Sequence, residues 1–210
     1  MIDKMLNNIE FFNDEEDLKI KEDLKKVIKV GYSEMLEFFN IEKYNFKLNG
    51  IVIYKSIEEF QKEMFGKKRD DFGISCIKNK KLQIVNPKNP GKINNYDSVQ
   101  KGAIYNLVLV IVDNMSSKSY IPDWLRVGVG VYVSKLQNAN KTKMDISIDR
   151  FSSGYLNFSA SYFVVNYIIR MYGKKKLLEL LQNVDGFKEI LGVSTKDFDI
   201  EINKYYKGTK

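Results

Sequence analysis

The chain has 210 residues, 44% of them hydrophobic and 13% aromatic, which supplies one domain of ordinary size with a substantial core and excludes general disorder. Its single cysteine, Cys76, excludes an internal disulfide, and the complete lack of histidine removes the commonest metal ligand and general base. The formal net charge of +7 is nearly all lysine and is scattered, with no basic helix face or aromatic platform beside it, so nucleic acid is not the expected partner.

In chain order, the opening Met1-Ile2-Asp3-Lys4 lacks a basic-then-apolar leader, which together with the lone cysteine leads to the expectation of a cytoplasmic protein. Asn13-Asp14-Glu15-Glu16-Asp17 places a capping residue and carboxylates at an electropositive helix start. Behind it Leu24, Val27, Ile28, Met35, Phe38 and Phe39 recur at helical spacing, predicting an amphipathic helix that ends near Asn40. Gly50 to Tyr54 reads as a strand, and Ser56 with Glu59 as a capping box that opens a short helix through Phe60 and Met64. Ile74 to Ile77 and Leu82 to Val85 predict a hairpin turned by Lys78-Asn79-Lys80-Lys81. Asp97 with Gln100 opens an apolar helix to about Asn114, whose purest stretch, Ala103 to Val112, is about half the length that spans a bilayer, so no membrane is expected. Pro122 introduces a helix through Trp124, Leu125, Val129, Tyr132 and Val133, and Tyr155 to Tyr172 is a helix stopped by Gly173. Lys174 to Gln182 and Ser194 to Tyr206 are two more, which makes an α+β arrangement with its sheet in the first half.

Three segments in this order resemble a known family. Ile51-Val52-Ile53-Tyr54-Lys55-Ser56-Ile57-Glu58-Glu59-Phe60 is similar to a strand and "ypsreeF" turn into a helix. Ile121-Pro122-Asp123-Trp124-Leu125-Arg126-Val127-Gly128-Val129-Gly130-Val131-Tyr132-Val133 is similar to "lPrWLsEGlAeYv", and Ser161 to Leu178 to "syalvryLverYGkekll", with Leu191-Gly192-Val193-Ser194 and Phe198 also fitting. Together they resemble the gluzincin metallopeptidases, in particular the peptidase MA-like domain, over about residues 14 to 206. The resemblance implies one zincin-like α+β domain over residues 1–210, with a small mixed or antiparallel N-terminal sheet, a helical C-terminal half and 207–210 as a flexible tail.

The chemistry of that family rests on HExxH, two His on one helix face that hold Zn²⁺ with a Glu that activates water, and on a third ligand, a Glu, from the next helix. Laid over this chain, the resemblance sets Tyr105 and Leu109 at the His positions, Asn106 at the general base and Val127 at the third ligand, with residues 110 to 126 between Leu109 and Val127. It sets Phe158 where a family tyrosine can stabilise the oxyanion. All five positions are changed. Leucine and valine have no lone pair to give a metal, and asparagine has no useful basicity, so the resemblance implies a zinc-free pseudoenzyme without catalytic residues or cofactor. Replacing ligands with Leu109 and Val127 would let the site close as dry core. What remains is binding of a peptide or protein, whose identity and the chain's own oligomeric state the sequence does not give. The family's edge strand ahead of the active-site helix pairs with substrate, and Leu82-Gln83-Ile84-Val85 is its expected counterpart, with Arg126 as a fork for a carboxylate.

Against these readings stand plainer ones. Tyr105 and Asn106 can be satisfied inside the protein rather than by a ligand, and Arg126 can lie on a solvated face. Cys76, with no histidine to activate it, reads as an inert half-buried thiol rather than a nucleophile. Asp14 to Asp17 reads as a helix start rather than a hard-metal loop, Asp145 and Asp149 have no third partner, and the rings of Tyr155 to Tyr172 read as core. Two other functional classes stay open: a hydrolase with non-standard chemistry in the same cleft, and a basic nucleic-acid-associated protein.

Overall fold

The computed structural model describes residues 2–66, 73–116, 120–136, 146–148 and 158–208. The chain divides into two compact units, Met1–Val108 and Leu109–Lys210, with the division inside one helix.

The first unit opens with helix α1 (Ile2–Leu6) and strand β1 (Ile9–Phe12), neither of which the sequence pattern predicts. They are five and four residues long, too short for a period to emerge. Helix α2 (Leu18–Phe39) ends where expected, with Asn40 in the left-handed region at φ 54°, but it starts after the acidic run rather than at Asn13: Asp17 is the cap, its carboxylate accepting from the Ile20 N–H at 3.1 Å. Strand β2 (Gly50–Tyr54) is buried along its whole length. At the start of α3 (Ile57–Phe65) the Ser56 hydroxyl accepts from the Glu59 N–H at 3.2 Å, and the Glu59 carboxylate accepts from the N–H of Lys55, one residue earlier than a capping box requires. Strands β3 (Ser75–Lys78) and β4 (Lys81–Val85) form the hairpin, and Asn79 and Lys80, both at positive φ, make its tight turn.

The sheet order is β1-β2-β4-β3, with β1, β2 and β4 parallel and β3 antiparallel to β4. This corrects the expectation that Leu82-Gln83-Ile84-Val85 is an edge. Strand β4 pairs with β2 on one side and β3 on the other, so its main chain has no free side to offer, and the edge is β3. Register sets Ile51, Ile53, Leu82 and Ile84, all fully buried, on one face with Ser75. The opposite face carries Tyr54 and Gln83, and α3 covers it with Phe60, whose ring lies 5.5 Å from that of Tyr54.

Helix α4 (Tyr96–Asp113) begins one residue before the expected Asp97. Its start is held by Asn95 and Ser98, each side chain accepting from the other's N–H at 2.8 Å, in place of Asp97 and Gln100.

The described elements of the second unit are all helical: beyond the end of α4 they are α5 (Asp123–Ser134), α6 (Phe158–Tyr172), α7 (Lys174–Gln182), a 3₁₀ turn (Val184–Gly186) that leads into α8 (Phe187–Leu191), and α9 (Thr195–Gly208). Tyr155, the expected start of α6, lies outside the described residues, and α9 runs two residues past the expected Tyr206, into the segment anticipated as a tail. Gly128 lets α5 approach α6 closely, since a Cβ there would lie 2.4 Å from the Ser161 carbonyl oxygen. The aromatic reading of α6 holds in part: Tyr167 is buried against Phe198 of α9 at 5.4 Å, but Tyr162 and Phe163 are only half-buried. Among the described residues no helix is long and apolar enough to cross a membrane.

Candidate functional site

Helix α4 carries the first three positions. Tyr105 is half-buried, Leu109 lies one turn on along the same helix face and is 8% exposed, and Asn106 is half-buried beside them. The Asn106 amide donates to the Ser75 hydroxyl at 2.7 Å and to the Gly102 carbonyl at 2.9 Å. Ser75 was not singled out by its sequence, yet it joins Asn106 to the edge strand. Only the pairing of β3 reveals it. Gly102 permits the approach, since a Cβ there would stand 3.0 Å from the Ser75 hydroxyl oxygen.

Among the described residues no strand pairs with the outer side of β3. The Val85 N–H donates to the Ile74 carbonyl, and in an antiparallel ladder the hydrogen-bonded pairs alternate, so the N–H groups of Cys76 and Lys78 face β4 while those of Ser75 and Ile77 face outward. Behind the strand, buried Gln83 accepts from the Tyr54 hydroxyl at 3.1 Å and donates to the Lys78 carbonyl at 3.1 Å, so its side chain serves the sheet. Burial pushes the Tyr54 hydroxyl up to about 12, with the Glu63 charge adding to it. Burial also raises the Cys76 thiol, which keeps it protonated and agrees with an inert cysteine.

In the second unit Val127 is 2% exposed within α5, while Phe158, the first residue of α6, is 41% exposed. The Arg126 fork is already engaged: its Nε and Nη2 donate to the two carboxylate oxygens of Asp113, the latter at 2.8 Å. This corrects the assignment of Arg126 to a peptide carboxylate, because a bidentate guanidinium held by one carboxylate does not present the same fork to another.

The acidic run ahead of α2 is spent locally. Asp17 caps the helix and pairs with Lys88, whose hydrogen bond holds its carboxyl below the usual range, Glu16 pairs with Lys21 at 2.7 Å, and Asp14 faces Lys55 at 3.8 Å. Among the described residues no three His, Cys, Asp or Glu side chains are gathered to hold a metal ion, and Asp145 and Asp149 lie outside those residues. The arrangement offers a strand edge with two outward N–H groups and a neighbouring amide, which can bind a main chain.

No protein-family model matches the chain, and neither a curated protein nor a solved structure matches it.

Proposed function

We propose that the chain is a zinc-free, catalytically inactive relative of the gluzincin metallopeptidases that binds an extended peptide or protein segment along β3. The observation that carries this reading is the hydrogen bond from Asn106 to Ser75 at 2.7 Å, which links the position matching the family's general base to an antiparallel edge strand just ahead of the matching helix. A peptide added there would gain main-chain hydrogen bonds with little demand on its side chains, and Asn106 would act as a polar neighbour rather than a base. Buried Leu109 and Val127 agree with metal-ligand positions converted to core.

Two experiments test the two halves of the proposal. Tyr105→His, Leu109→His and Val127→Glu together restore the three ligand types, and the triple variant is expected to retain about one equivalent of zinc by metal analysis after dialysis. No zinc in a folded triple variant would break the family relation. Ile77→Pro removes an outward N–H while sparing the β3–β4 ladder, so it should weaken capture of extended peptides from a random twelve-residue pool by about tenfold with the fold retained by circular dichroism. Unchanged capture would take the binding surface away from β3.

A further inference from the structure

The outward face of α9 forms a second candidate surface, independent of β3. Its core side carries Phe198 and Ile202, both fully buried, and on the opposite side Lys196, Ile200, Lys204 and Lys207 follow at helical spacing. These four residues line an open groove of about 580 Å³ together with the segment around Ile146. That segment is fastened to the helix: the Asn203 amide oxygen accepts from the Ile146 N–H at 3.0 Å, the Asn203 amide nitrogen donates to the Ile146 carbonyl at 2.7 Å, and the Asp199 carboxylate accepts from the Ile148 N–H at 3.1 Å. The wall of the groove is therefore held in place by side-chain to main-chain bonds, and Asp199, the one carboxylate among the described residues of its lining, is committed to that wall.

Charge and polarity then define the ligand. Among the described residues no carboxylate pairs with Lys196, Lys204 or Lys207, and between them Ile200 stands 61% exposed, a large apolar side chain surrounded by cations. We infer that this groove docks an acidic peptide segment that sets an apolar side chain on Ile200 between carboxylates on Lys196 and Lys204. Eight residues of helix separate those lysines by about 12 Å, which an extended peptide covers in about four residues, so the carboxylates belong about four positions apart. A nucleic-acid strand would find no aromatic ring among the described residues of its lining on which to stack a base, and would leave Ile200 unused.

The test is fluorescence anisotropy on the full chain with a labelled Glu-Ser-Leu-Ser-Glu peptide. Saturable binding is expected, about tenfold weaker for the Gln-Ser-Leu-Ser-Gln peptide and for Lys196→Ser with Lys204→Ser, and about fivefold weaker for Ile200→Ser. All three positions are exposed, so the variants should keep the wild-type melting curve. No saturable binding would overturn the inference, as would a loss confined to the lysine variant, because attraction by charge alone does not need Ile200. Tighter Ile200-dependent binding of phosphatidylserine vesicles or of a ten-nucleotide RNA would overturn the choice of a peptide. Since no variant touches β3, failure here is distinguishable from failure of the edge-strand reading.

Discussion

Each unit brings two helices together at a glycine, and the two contacts differ in what they meet. In the first unit a Cβ at Gly31 of α2 would lie 2.6 Å from the tip of Ile104 on α4, the movable end of a side chain. In the second a Cβ at Gly128 of α5 would lie 2.4 Å from the Ser161 carbonyl oxygen and 2.6 Å from a Val165 methyl, and main chain cannot rotate out of the way. The first unit already has a four-stranded ladder to fix its elements, whereas the described part of the second relies on helix packing. Close main-chain approach is one way for helices without a sheet to hold a fixed spacing.

Paired substitutions measure that difference. Gly128→Ala should destabilise by about 3 kcal/mol in urea unfolding, because α5 and α6 must separate to admit the methyl group. Gly31→Ala should cost less, about 1 kcal/mol, since the overlap is with the Ile104 side chain, which can shift where main chain cannot, and alanine is the better helix former by about 1 kcal/mol. Equal costs at the two sites would break the comparison.

Alkaline titration should give a smaller effect in both units. In the first, burial, followed by the hydrogen bond to Asp23, pushes Tyr96 up to about 12, and in the second burial pushes Tyr206 up to about 12 and also raises Tyr172, which donates to Glu201 at 3.0 Å. A folded pKa above the unfolded value of 10.0 means that the unfolded chain loses these protons first. The contribution is therefore whole below about pH 10 and is lost as the pH rises through about 12. Melting temperature should be flat on the acid side of this window and fall within it, while Tyr96→Phe and Tyr172→Phe each flatten part of the fall. An unchanged slope in either variant removes that tyrosine from the account.

The sequence predicts elements where local rules act. Asn40 ends α2 where expected because capping needs only neighbouring backbone, and Asn79-Lys80 turns the hairpin for the same reason, whereas the acidic run offers several caps and the helix takes its last member, Asp17, rather than Asn13. Which strand lies at the edge is not a local property. The hairpin that sets β3 beside β4 is a local feature, but the alternation of Leu82 to Val85 is the same whether or not β2 pairs on the other side, so β4 reads as an edge. Arg126 finds Asp113 thirteen positions away, and the Asn203 clamp on Ile146 spans 57, so neither partner has a sequence signal. The short pieces, α1, β1 and Val184 to Leu191, escape because fewer than two turns or a full alternation cannot establish a period. At the candidate site, the expectation that Asn106 is satisfied internally is met, but its partner Ser75 emerged only from the packing of α4 on the sheet.

Asn106 gives a small expected effect and the one that bears most directly on the site. Its amide is a donor in both observed bonds, to the Ser75 hydroxyl and to the Gly102 carbonyl. Asn106→Ala deletes both, at a net cost of about 1 kcal/mol, because the Gly102 carbonyl sits within the helix and the Ser75 hydroxyl can turn elsewhere. Asn106→Asp keeps the shape and replaces the donor with a charged acceptor facing that carbonyl, so it should cost more than alanine at pH 7. The new carboxyl would have a folded pKa above its unfolded value of about 3.9, since its protonated form can donate as the amide does. Its penalty is then largest at neutral pH and shrinks as the pH falls toward about 4. Urea midpoints of wild type, Asn106→Ala and Asn106→Asp at both pH values separate the terms, with wild type correcting for the other carboxylates. An aspartate as stable as asparagine at pH 7 would mean that the donor bond to Ser75 does not hold α4 against β3, and the link between Asn106 and the strand edge would lose its energetic basis.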